Sequence, residues 1–64
     1  MPHIQITMLQ GRTPEQKRKI VERITQVMVE EAGTKKENVT VSFLEVSQAD
    51  YASAGVLVLD KQKI

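Results

Sequence analysis

The sequence predicts a small α+β protein built on one β-α-β unit with parallel strands. Three observations carry the prediction: strict alternation of apolar and polar residues from Ile4 to Met8, a helix-start signal at Thr13 followed by an apolar stripe at three- and four-residue steps, and a second alternating run from Val39 to Phe43. With 64 residues and no cysteine, the chain reads as a single domain, residues 1–64. A chain this short buries only about 60% of the surface its unfolded form exposes. Disulfides are excluded and one histidine, His3, cannot build a metal site alone, so oligomerisation is the remaining route to stability.

In the first strand Ile4, Ile6 and Met8 share one face, and His3, Gln5 and Thr7 the other. Gln10-Gly11-Arg12 ends it. Thr13 then supplies an N-cap hydroxyl, Pro14 the fixed φ suited to the first helical position and Gln16 the reciprocal partner of a capping box. The helix should run from Pro14 to about Ala32, because Ile20, Val21, Ile24, Val27, Met28 and Ala32 form one stripe while Arg18, Lys19, Glu22, Arg23 and Glu30 fall elsewhere. Gly33 sits where a helix ends in a residue of positive φ. At about 1.5 Å per residue the helix spans roughly 28 Å, enough to cross back over a sheet.

Lys35–Asn38 is a polar connection. The strand that follows must lie parallel to the first, with a right-handed crossover. Val39, Val41 and Phe43 should therefore join Ile4, Ile6 and Met8 beneath the helix, and Met8 and Met28 read as packing residues. Past Leu44-Glu45-Val46 the alternation fades. Ser47–Tyr51 reads as a loop or a single helical turn, and Ala52–Gly55 as a small-residue turn. Val56-Leu57-Val58-Leu59 is an unbroken apolar run with no second core layer to cover it, so a partner subunit should do so. Two strands and one helix do not make a stable sheet alone. Dimerisation that extends the sheet, followed by higher assembly, is the expected solution.

Composition narrows the function classes. Nine Lys plus Arg against eight Asp plus Glu give a net charge of +1, with the basic residues spread among glutamates. No basic stripe marks nucleic acid as a partner, and one Tyr, one Phe and no Trp make a poor platform for stacking bases. No apolar run approaches the ~20 residues of a membrane span. Without a basic n-region and apolar h-region for export, the expected location is the cytoplasm.

The residues that can carry chemistry lie mostly in the first strand and its turn. Removal of Met1 would leave Pro2 as a secondary amine at the head of the strand. A general base works best with a pKa near the operating pH, and burial or a nearby cation would lower that of a prolyl amine. A Met-Pro start can equally be no more than a stiff beginning to a strand. Arg12 offers a permanent cation with a planar fork matched to a carboxylate. An arginine in such a turn is ordinarily solvated, but here it opposes the dipole of the helix that follows. His3 falls on the polar parity of its strand. Glu45 and Asp50 could activate water, or could merely cap and solvate their loop. No zinc spacing, phosphate loop or nucleophile elbow is present.

Taken in order and spacing, the N-terminal Met-Pro, the alternating strand, Met8-Leu9-Gln10-Gly11-Arg12-Thr13-Pro14-Glu15-Gln16-Lys17 and the small-residue turn after Tyr51 resemble the 4-oxalocrotonate tautomerase (2-hydroxymuconate tautomerase) family of the tautomerase superfamily. The likeness runs from Pro2 to about Asp60. It implies a C-terminal hairpin added to the β-α-β protomer and a homohexamer built as a trimer of dimers, with active sites between subunits. It also implies a cofactor-independent isomerase without metal that acts on a small carboxylate substrate and takes part in aromatic degradation. Pro2 would be the general acid and base, Arg12 would hold a substrate carboxylate from a neighbouring chain, and Leu9 and Tyr51 would form the apolar wall.

Two positions depart from the family pattern. Thr40 stands where well-studied members carry a second arginine at the 2-hydroxyl end of the substrate, and Tyr51 where they carry phenylalanine. A neutral hydroxyl is a weaker donor than a guanidinium, since charge-assisted hydrogen bonds are roughly twice as strong as neutral ones. Activity on a dicarboxylate dienol should fall accordingly, and simpler monocarboxylate enols gain weight as substrates. Two other readings stand beside the tautomerase: a hydratase or dehalogenase of a short unsaturated acid, with Pro2 as acid and Glu45 activating water, and a non-catalytic oligomeric protein with the same fold.

Overall fold

Two seven-residue strands lie side by side in the computed structural model, which describes residues 1–61. They are β1 (His3–Leu9) and β2 (Thr40–Val46), paired in parallel from His3↔Thr40 to Leu9↔Val46. Hydrogen bonds continue the ladder past both ends, with the Thr40 N–H donating to the Pro2 carbonyl at 3.1 Å and the Gln10 N–H to the Val46 carbonyl at 2.9 Å. Between the strands runs α1 (Pro14–Ala32), started and stopped as the sequence dictates. The Gln16 N–H donates to the Thr13 hydroxyl at 3.1 Å, the Thr13 N–H to the Gln16 side-chain oxygen at 2.9 Å, and Gly33 closes the helix at φ 67°.

The second strand starts one residue later than its alternation suggests, and ends three residues later. Val39 instead closes the 3-10 turn Lys36–Asn38, its N–H donating to the Lys36 carbonyl. Leu44, Glu45 and Val46 stay in the strand because β1 offers seven backbone partners, and pairing outweighs the broken polarity pattern. The facing pairs Ile4↔Val41 and Ile6↔Phe43 put the apolar sides of both strands on one face, as expected. Lys17 shows that α1 crosses this face: its ammonium lies 2.8 Å from a Glu45 oxygen and 5.6 Å from the Phe43 ring centre.

Ser47–Tyr51 resolves into one 3-10 turn, Gln48–Asp50, in which the Ser47 hydroxyl donates to the Asp50 carboxylate at 3.0 Å. Asp50 thus caps its turn. The small-residue turn proves to be the bend of an antiparallel hairpin between β3 (Ala52–Ser53) and β4 (Val56–Leu57). Ala54 and Gly55 both have positive φ, 53° and 79°, the combination that matches the twist of a two-residue hairpin. The apolar run 56–59 is divided between β4 and the short helix α2 (Val58–Lys61). The Val58 N–H donates to the Tyr51 carbonyl and the Lys61 ammonium to the Ser53 hydroxyl, so both ends of this unit are tied. The 1–64 domain expected from the sequence extends past the described residues at 62–64.

Among the described residues none is fully buried, and Val27, Leu44, Val56, Leu57 and Leu59 are each at least 38% exposed. The Cα radius of gyration is 15.2 Å, against about 11 Å for a compact chain of this length. The protomer holds its shape through a backbone ladder, two caps and a hairpin, without a closed core of its own.

Candidate active site

Each proposed site residue owes its place to a local feature of the chain. Pro2 heads β1 on the parity of Ile4 and Ile6, half-buried, with its carbonyl tied to β2 through Thr40. Met1 projects beyond it, 90% exposed. Leu9 ends β1 half-buried. Arg12 follows Gly11, whose φ of 127° turns the chain out of the strand just before the Thr13 cap. Its guanidinium makes no ion pair or side-chain hydrogen bond among the described residues, which leaves the fork free for a carboxylate. Arg12 borders an open depression of about 290 Å³ with Gln16, Lys19, Ile20 and Arg23. Three cations around one apolar floor favour an anion.

Thr40 begins β2 on the opposite face from Ile4 and Ile6, and its hydroxyl is engaged. The Thr40 Oγ1 lies 2.7 Å from Nδ1 of His3, whose Nε2 lies 3.1 Å from the Ser42 Oγ. Tyr51 follows the 3-10 turn at the base of the hairpin and is 49% exposed.

One protomer therefore does not bring the five residues together. Pro2 and Thr40 stand at the start of the sheet and Leu9 and Arg12 at its far end. At about 3.3 Å per residue, the seven residues of β1 separate these ends by roughly 20 Å. Tyr51 belongs to the C-terminal hairpin. A site using Pro2 and Arg12 on one substrate must draw them from different chains.

Of the carboxylates weighed as activators of water, Glu45 is paired with Lys17 and Asp50 with the Ser47 hydroxyl. Three further polar residues lie beside the candidate site residues. His3 becomes visible only through the register that sets it opposite Thr40. Lys19 and Arg23 were legible in principle, because they stand one and two helical turns beyond Gln16 on the side that Arg12 reaches.

Comparison with known proteins assigns the chain to a family. The family profile described as "Tautomerase enzyme" matches residues 2–61. This chain belongs to the tautomerase family. It is 39% identical over 62 residues to the 2-hydroxymuconate tautomerase of Bacillus subtilis strain 168, covering 97% of this chain and 100% of that protein. Among solved structures it is similar to a 4-oxalocrotonate tautomerase isozyme of Methylibium petroleiphilum, with a TM-score of 0.94, 32% identity and 97% of each chain covered. It is also similar to a trans-3-chloroacrylic acid dehalogenase structure, with a TM-score of 0.77 and 33% identity over 81% of this chain and 98% of that one. The strand pair, crossing helix and C-terminal hairpin are thus the tautomerase fold, and this member of the family is an enzyme of the isomerase class.

Proposed function

We propose that the protein, once Met1 is removed, is a cofactor-independent enol–keto tautomerase acting on a 2-hydroxy-dienoate or a related pyruvoyl enol. Pro2 is the general base and acid. Its nitrogen takes the proton of the 2-hydroxyl, the freed O–H pair becomes the carbonyl π bond, and the double-bond electrons move along the conjugated chain. The far carbon then takes a proton from the prolyl ammonium, so the product is an isomer of the substrate. Arg12 of a neighbouring chain holds the carboxylate, Thr40 donates to the oxygens at the enol end, and Leu9 and Tyr51 line the apolar wall. The working form is a homohexamer, a trimer of dimers, in the cytoplasm, with a part in aromatic degradation.

The observation that carries this reading is the fork of Arg12, unpartnered among the described residues, in a chain whose family match begins at Pro2 itself. Rates on 2-hydroxymuconate and phenylenolpyruvate, compared for the native protein, Pro2→Ala and Arg12→Ala, test it. Both variants should lose activity of about 100-fold or more. A native protein of intact mass that still carries Met1 would sink the proposal, because its Pro2 nitrogen would be an amide without basicity.

The dehalogenase likeness favours one second reading, addition of water to a short unsaturated acid with Pro2 as the acid. The Lys17–Glu45 pair counts against Glu45 as the activator of that water. If Glu45→Gln abolished a hydratase rate while sparing the tautomerase rate, Glu45 would regain that role.

A further inference from the structure

The sheet face opposite α1 carries a line of three polar side chains, of which the reaction above uses only Thr40. Ser42, His3 and Thr40 succeed one another across the two strands, with the imidazole between the hydroxyls at 3.1 Å and 2.7 Å. A neutral imidazole donates at one nitrogen and accepts at the other, whereas a hydroxyl can do either. The line can therefore point in either of two directions. Pointing toward Ser42, it leaves the outermost proton on a half-buried hydroxyl for which no other hydrogen-bond partner exists among the described residues. Pointing toward Thr40, it leaves that proton on an exposed one. A donor without a partner costs more the less water reaches it, so the second direction is the cheaper one.

We propose that Ser42 and His3 are positioning residues that aim the Thr40 hydroxyl outward as a donor to the enol oxygen of the substrate. Ser42 donates to Nε2 of His3, Nδ1 donates to the Thr40 Oγ1, and the Thr40 proton is left for the ligand. Each bond in such a chain polarises the next, so Thr40 becomes a stronger donor than an isolated threonine. An imidazolium at His3 would donate to both hydroxyls and leave Thr40 facing the same way. The inference rests on the reading that Thr40 meets the substrate, but the direction of the line is a property of the protein alone.

Both parts are measurable in the assembled protein. His3 is the only histidine in the sequence, so nitrogen-15 labelling of histidine gives one ring to follow by NMR. At a pH where the ring is neutral the proton should sit on Nδ1, and Ser42→Ala should move it toward Nε2. In kinetics, Thr40→Val and His3→Phe should each lower kcat about three- to tenfold with KM within about twofold. The double variant should fall no further than the worse single one, and Thr40→Ser should recover most of the rate lost in Thr40→Val. A ring protonated at Nε2 in the native protein overturns the proposal. So does His3→Phe with unchanged kcat at an unchanged assembly mass, or losses that add in the double variant. Should Pro2→Ala keep full activity, the reaction assigned above fails, and the NMR measurement still decides which way the line points.

Discussion

Arg12 shows what a single position can and cannot announce. Its fork has no partner among the described residues, and Lys19 and Arg23 share its depression. Lysine keeps the charge but loses the planar pair of donors. Arg12→Lys should therefore retain binding while raising KM about tenfold, intermediate between the native protein and Arg12→Ala, in steady-state measurements on either enol. The residue types at Pro2 and Arg12, a potential secondary amine and a permanent cation, were legible in the sequence because their chemistry is intrinsic. The partners of His3 and Glu45 were not. His3 stands opposite Thr40, and Glu45 meets Lys17, only through strand register and helix crossing, and neither has a local sequence signal.

At the scale of elements, the helix was readable at both ends because its stop signals are local, from the Thr13–Gln16 box to Gly33. Thr13→Ala should cost about 1 kcal/mol, read as a lower melting temperature at fixed protomer concentration. The hairpin was harder to read. Its bend is Ala54-Gly55 rather than the Asn-Gly that marks such turns, although Ala54 adopts φ 53°. Alanine is strained in that region, whereas asparagine tolerates it. Ala54→Asn should thus raise stability by roughly 0.5–1 kcal/mol with no change in rate, a gain visible in the same melting experiment. The end of β2 is less legible than its start: strict alternation covers only 39–43, and the length of the partner strand keeps Leu44, Glu45 and Val46 in the ladder.

For the whole molecule the governing fact is the lack of any fully buried residue among those described. The composition already pointed this way, since an apolar run with no second layer needs an outside surface. Val56, Leu57 and Leu59 remain 41%, 38% and 44% exposed in the protomer. A charge at Leu57 should block burial of that run against another copy. Leu57→Glu is expected to give a smaller species by sedimentation, with helical circular dichroism lost on dilution at concentrations where the native protein keeps it.

The length of β1 has one more consequence. Pro2 and Arg12 stand at opposite ends of the same strand, so a chain damaged at one end still carries an intact residue at the other. On the roles proposed for them, Pro2→Ala and Arg12→Ala should complement each other when unfolded together and allowed to reassemble, because some mixed sites would then pair the proline of one lineage with the arginine of the other. Mixing them without unfolding should restore activity only as fast as folded assemblies trade subunits, so the rate of that return would time the exchange.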